Sequence, residues 1–257
     1  MKQILDPDLP ARDFRIDRDH REAERGGADL VPNIFCENAL ETALQLRDAT
    51  GGSITAVSFG TEESEEVLRK ALAMTADEAA LVIRQDGPAP DVLTVARALA
   101  AAARKLGEFE VVMAGRESGD WGVGQTGGLV AEELGLPMVA LVDRAEANDR
   151  GLTLRRQTDS GYDTVEARCP VLLTVTNCEG NVPRIPKTRD VMRSYRKELT
   201  TWSMEELGVT NDDVVAEVVE LSIPSKDITC ELVGGGSLDE KVNTFARKIA
   251  DVISGLG

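Results

Sequence analysis

F-E-V-V-M-A-G-R-E-S-G-D-W-G-V-G-Q-T-G-G, residues 109–128, passes from an apolar run into a glycine-rich loop and on toward a helix. Phe109 to Ala114 has strand length, and Gly127 to Leu134 has helical character. A buried strand that ends in a loop and returns as a helix is the repeating unit of a parallel α/β sheet. The same rhythm recurs upstream. Glu37 to Asp48 sets Ala39, Leu40, Ala43, Leu44 and Leu46 on one helical face, and Gly51-Gly52 ends it. Ile54 to Phe59 reads as a buried strand closed by Gly60. Thr61 caps the next helix, whose inner face is Val67, Leu68, Ala71 and Leu72. Ala79 to Ile83 is a strand, Asp91 to Lys105 an alanine-rich helix, and Met138 to Val142 is extended.

This alternation predicts an α/β fold, a doubly wound and mostly parallel sheet of the Rossmann-like, adenine-nucleotide-binding kind, with ligands at the carboxyl ends of its strands. Past residue 150 the spacing tightens. Leu152 to Gln157, Tyr162 to Arg168 and Val171 to Thr176, with a turn at Asp159-Ser160-Gly161, predict an antiparallel meander on the sheet edge. An irregular proline-containing segment and a short basic helix follow Asn177. Near the end, Ser237 and Glu240 form a capping box ahead of an apolar stripe, Leu238, Val242, Phe245, Ile249 and Val252. The first ~30 residues lack periodicity and read as a surface excursion. The expected division is a nucleotide-binding α/β domain, 1–200, and a C-terminal arm, 201–257, whose capped helix docks on a partner.

Composition narrows the chemistry. A chain of 257 residues buries a core without staples. Twenty-nine basic against 45 acidic residues leave a net charge of −16, which repels nucleic-acid backbones and anionic membranes. His20 is the single histidine, so histidine-based catalysis and most zinc sites fall away. Cys36, Cys169, Cys178 and Cys230 show no C-x-x-C pairing and read as reduced thiols of a cytoplasmic protein. No apolar run approaches ~18 residues, so no membrane span is expected.

The glycine loop is the strongest chemical signal. Its backbone can approach a phosphate closely, and the helix start behind it offers free N–H groups to an anion. It is neither a Walker A nor a G-x-G-x-x-G motif and contains no lysine, so a plain structural loop is the alternative reading. Asn33-Ile34-Phe35-Cys36 before the first helix, and Phe59-Gly60-Thr61 at a strand end, line the same crevice or serve as an ordinary cap and core. Trp121 either shields a ring or packs beneath the loop. Cys169 reads as structural, and Cys36 at a helix start has no basic neighbour in sequence to activate it. The chain has the look of a phosphate binder without catalytic side chains.

Several stretches together resemble the β subunit of the electron transfer flavoproteins over nearly the whole chain. They are K-Q-I-L-D-P at 2–7, N-I-F-C-E-N-A-L at 33–40, A-V-S-F-G at 56–60 and R-K-A-L-A-M at 69–74. The G-R-E-S-G-D and G-Q-T-G pieces of the loop, P-R-I-P at 183–186 and W-S-M-E-E-L-G-V at 202–209 continue them in order. The resemblance implies a heterodimer with an α subunit that relays electrons through bound flavin between dehydrogenase-type donors and an acceptor, with flavin bifurcation open. It implies FAD chiefly in the α subunit, and AMP or a second FAD in this one. Carried over by position, the nucleotide site is Asn33, Phe35, Cys36, Phe59, Asp120, Val123, Gly124, Gln125, Thr126 and Gly127, and Gly127→Asp is expected to meet the phosphate. The partner-docking loop falls on Pro183 to Met192, and the basic segment to Lys197 is expected to steer this acidic protein onto an acidic redox partner.

The chain departs from the family in four places. The full strand that normally precedes K-Q is absent, which predicts two open strand edges and Met1 as an internal methionine of a longer product. Gly124 stands where AMP-binding members carry Asn, which turns the expectation toward FAD. Trp121-Gly122 replaces an acidic run. Thr188 stands where acyl-CoA dehydrogenase-linked members carry a leucine, and Thr does not plug an apolar pocket as Leu does. The rival from another class is a free-standing adenine-nucleotide-binding protein without a redox role.

Overall fold

Short apolar runs separated by glycine, proline and capping residues fold into alternating strands and helices. A computed structural model describes residues 1–10, 12–19, 21–84, 87, 90–210, 215–223 and 230–255. In chain order the elements are β1 (Gln3–Leu5), β2 (Ile16–Asp17), β3 (Glu22–Ala23), β4 (Leu30–Pro32), α1 (Ile34–Thr50), β5 (Thr55–Gly60), α2 (Glu65–Ala73), β6 (Glu78–Ile83) and α3 (Val92–Leu106). They continue with β7 (Val111–Gly115), α4 (Thr126–Leu134), β8 (Met138–Asn148), β9 (Gly151–Thr158), β10 (Gly161–Ala167), β11 (Val171–Val175), α5 (Thr188–Ser194), β12 (Thr200–Ser203) and α6 (Leu238–Ser254). His20 lies outside the described residues.

Local signals account for most of these boundaries. The Asp91 carboxylate accepts from the Thr94 N–H at 2.8 Å and starts α3. Gly135, left-handed at φ 68°, closes α4. Val67, Leu68, Ala71 and Leu72 are buried along the inner face of α2, as their spacing requires. Thr61 differs from expectation: its side chain makes no capping bond, and a 3-10 turn, Glu62–Ser64, intervenes before α2.

The parallel α/β architecture is present, with its strands divided between two sheets. One is three-stranded and parallel, β12-β6-β5; the other is five-stranded and mixed, β10-β9-β8-β11-β7. Strands β5 and β12 end the first sheet, and β7 and β10 the second. Helix α1 spans both sheets: Leu40 and Leu44 pack with Ala56 and Leu81, while Ala39 packs with Val171, Leu173 and Val175. The Met1 amino group donates to the Val57 carbonyl of β5 at 2.5 Å.

The meander needs one correction. Strands β8, β9 and β10 are antiparallel neighbours, but β11 leaves them and inserts parallel between β8 and β7. All five of its residues, V-L-L-T-V, are buried. A run without polar alternation needs cover on both faces, and only an interior strand of a sheet supplies it. The N-terminal excursion is likewise tied at its base by the antiparallel β1–β4 ladder, with Ile4 and Ala28 buried.

The chain separates into two units, Met1–Leu221 and Ser222–Gly257. The first runs past residue 200 because β12 pairs with β6 and Met204 packs with Val82 and α3. In the second, Ser237 and Glu240 close the expected capping box of α6, and its five stripe residues are exposed. Among the described residues no helix is long and apolar enough to cross a membrane.

Candidate nucleotide site

The loop after β7 is built around backbone. An added Cβ at Gly115 would lie 2.8 Å from the Phe35 carbonyl carbon and 2.9 Å from the Cys36 nitrogen, so only glycine lets β7 meet the start of α1. This contact brings Asn33, Phe35 and Cys36 to the loop, as their assignment to one site requires. Asn33 is buried, and its amide staples the loop. It donates to the Glu117 carbonyl at 2.8 Å and to Cys36 Sγ at 3.3 Å, and accepts from the Gly119 N–H at 3.1 Å. It makes no side-chain cap to α1, so the capping alternative is set aside.

The other end of the loop is open. Gly122 to Gln125 are exposed, and Gln125 makes no side-chain cap at the start of α4. Among the described residues the N–H groups of 123 to 128 have no protein acceptor; the first bond of the helix is from Leu129 to the Gln125 carbonyl. A helix start with unclaimed donors favours a negative group. Trp121 is 49% exposed, so it is not packed beneath the loop. Gly127 is different. Its added Cβ would lie 2.4 Å from Thr174 Cγ2 on β11, so the side-chain direction of this glycine packs α4 on the sheet, while its N–H stays among the unclaimed donors. Phe59 is half-buried at the end of β5 in the cluster with Val82, Ala98 and Met204.

Two residues that local sequence did not mark reach the loop. Lys2 donates to both Asp120 oxygens at 2.8 Å and to Ser118 Oγ at 3.2 Å. Burial pushes the Asp120 carboxyl up, but Lys2 and Ser118 outweigh it and hold the group below the usual carboxylate range. Asp120 is therefore a neutralised, ion-paired loop anchor. Arg116 lies 4.5 Å from the Phe35 ring centroid and donates to Glu117 and Thr176, placing a guanidinium at the root of the loop. Lys2 is 118 residues from Asp120, a separation at which no spacing rule operates.

Helix α1 also organises the segment after β11. Its Asn38 donates to the Asn181 carbonyl, Gln45 to the Gly180 carbonyl, and its Glu41 and Asp48 receive Arg184 at 2.8 and 3.0 Å. Burial pushes the Glu41 carboxyl up, but hydrogen bonds from Arg184 outweigh this and hold it below its ordinary value of 4.5. A lowered pKa contributes stability above the ordinary value, lost as pH falls through the folded value. Glu41→Gln is therefore expected to cost about 1–3 kcal/mol at neutral pH. Denaturant unfolding should show that deficit closing below pH 4.5; a deficit that persists unchanged at pH 3 refutes the pairing.

Of the six basic residues between 183 and 197, Arg184 and Lys197 are committed to acceptors within the fold. Lys197 donates to the Ala76 and Asp77 carbonyls at 2.9 and 3.0 Å. Lys187, Arg189, Arg193 and Arg196 remain exposed.

Residues 23–207 match the family described as electron transfer flavoprotein domain. The chain is 31% identical over 255 residues to the electron transfer flavoprotein subunit beta of Thermoanaerobacterium thermosaccharolyticum, covering 97% of this chain and 95% of that one. It is 36% identical over 208 residues to the subunit beta of Mycobacterium bovis, covering 79% and 75%. It is 31% identical over 257 residues to the caffeyl-CoA reductase-Etf complex subunit CarD of Acetobacterium woodii, covering 97% and 96%.

Proposed function

The chain belongs to the electron transfer flavoprotein family as a β subunit, an electron-transfer role, and from that premise we propose that its loop crevice holds the adenylate end of FAD or AMP. The observation that carries this is the unclaimed row of N–H groups at the start of α4, at the carboxyl end of β7. Val123, Gly124, Gln125 and Thr126 hold a phosphate by main chain. Asn33 fixes the loop's shape, and Lys2 neutralises Asp120 so that no bare carboxylate opposes the anion. Trp121 gives the ligand an apolar wall. Gly124, in place of the Asn of AMP-binding members, favours FAD over AMP. Flavin supplies the redox chemistry when bound; this subunit's side chains position it and keep water from it.

The partner in this reading is an α subunit, on which the C-terminal arm docks through the apolar stripe of α6. Exposed Ile185 and Met192, with the four outward cations of 187–196, meet a redox partner enzyme. The cytoplasm suits four free thiols. Bifurcation is a second reading, favoured by the likeness to CarD, a subunit of a reductase–Etf complex.

The test is to co-express the chain with the adjacent gene for the larger subunit and count flavin and AMP in the purified complex. Two flavins assign FAD to this site; one flavin with one AMP assigns AMP. One flavin without AMP overturns the proposal.

A further inference from the structure

The docking segment has a concave neighbour. Helices α2 and α5 enclose an open groove of about 350 Å³. Buried Val67 and Ala73 line it together with Pro32, Pro186, half-exposed Val191 and the Tyr195 ring. That volume is at the low end of the ~300–1,000 Å³ of small-molecule sites, and suits a protruding side chain better than a nucleotide.

Both sides of the groove are held in place. Arg69 of α2 donates to the Ser194 and Lys197 carbonyls at 2.6 and 2.7 Å and ties the end of α5 to α2. The Tyr195 hydroxyl donates to Glu66 at 3.0 Å. Arg184, clasped by Glu41 and Asp48, fixes the chain two residues before Pro186. The groove is thus formed before any partner arrives.

Charge identifies the occupant. Lys187 and Arg196 have no acceptor among the described residues, and Arg189 and Arg193 share Asp190 at 3.6 and 3.9 Å, too long for full pairing. Four outward cations beside an apolar groove, on a chain of net charge −16, select a complementary surface. We propose that this groove is a socket for one aliphatic side chain carried on an acidic segment of the redox partner. Exposed Ile185 and Met192 extend the apolar contact around it. The inference rests on the docking reading above and reverses one feature of it: the knob comes from the partner, and the hole is on this subunit.

The test uses the purified heterodimer with methyl-labelled Val and Ala and two pentapeptide probes, one leucine or one alanine between pairs of glutamates. The leucine probe should shift the methyls of Val67, Ala73 and Val191 and bind roughly tenfold more tightly than the alanine probe, from the extra buried carbons. Binding should weaken in ~1 M salt and in the Lys187→Glu, Arg189→Glu double variant. Val191→Trp, which fills the groove, should remove the leucine preference while leaving methyls elsewhere unchanged. Equal binding of both probes at the basic face, without groove shifts, overturns the socket and leaves the docking reading standing. No binding of either probe at low salt overturns both. The probe comparison on the unaltered protein decides the matter even where Val191→Trp fails to fold.

Discussion

Thr126→Asp should strip the nucleotide from the heterodimer while leaving the subunit folded. Thr126 is the first residue of α4, partly exposed, beside N–H groups that have no protein acceptor. Without ligand, a carboxylate there complements the helix dipole and is neutral to stabilising by about 0.3–1 kcal/mol. With a phosphate at the same donors, two like charges ~4 Å apart repel by about 4 kcal/mol in a partly solvated site. That is a loss of roughly a thousandfold in affinity. Nucleotide released by denaturation and quantified per complex should fall below a tenth of an equivalent, with the circular dichroism spectrum and the one-to-one assembly unchanged. A full complement of nucleotide in this variant places the site elsewhere. Gly127→Asp cannot make the distinction. Its side chain would collide with Thr174 on β11, so the packing of α4 would be lost along with any ligand.

The second large effect is expected at assembly. Introducing Asp at both Val242 and Phe245 should abolish the one-to-one complex with the α subunit. These residues sit with Leu238, Ile249 and Val252 on one face of α6, all exposed. Burying a side chain of this kind is worth about 1.5–3 kcal/mol, so two removed and replaced by charges raise the dissociation constant by at least ~100-fold. The helix itself should persist, because the Ser237–Glu240 capping box and the backbone ladder are untouched. Size-exclusion chromatography of mixed subunits reads the loss, and circular dichroism reads the helix. Unchanged co-elution would assign the interface to another surface.

Part of the proposed site is legible in the sequence only as an open choice. The glycine loop, the Asn33–Cys36 stretch and the strand end at Phe59 read either as pieces of one crevice or as ordinary caps and core, and Gly115 brings the first two together. What each residue does there was not legible. Asn33 turned out to spend its amide on the loop's own backbone, and Gly127 to face Thr174. The roles of Lys2 and Arg116 follow from no local spacing, because Lys2 pairs across 118 residues and Arg116 acts through the Phe35 ring of α1. Of six apparently equivalent basic residues, two serve the fold, and only their acceptors at Glu41, Asp48, Ala76 and Asp77 tell them apart.

The sequence by itself determined the strands and helices from α1 to β11 in outline, which face of α2 is buried, and where α3 and α6 start. Each of these depends on residues within a turn or two of one another, through backbone hydrogen bonding, caps and periodic burial. The short strands β1 to β4 and β12 carry too few residues for a periodic signal. Tertiary structure alone decided that β11 lies between β8 and β7, that Lys2 neutralises Asp120, and that α2 and α5 leave a groove between them. An apolar run declares only that it must be covered. Which elements cover it depends on the packing of the whole chain, because burial is non-directional and long-range pairing is settled only when every element is in place.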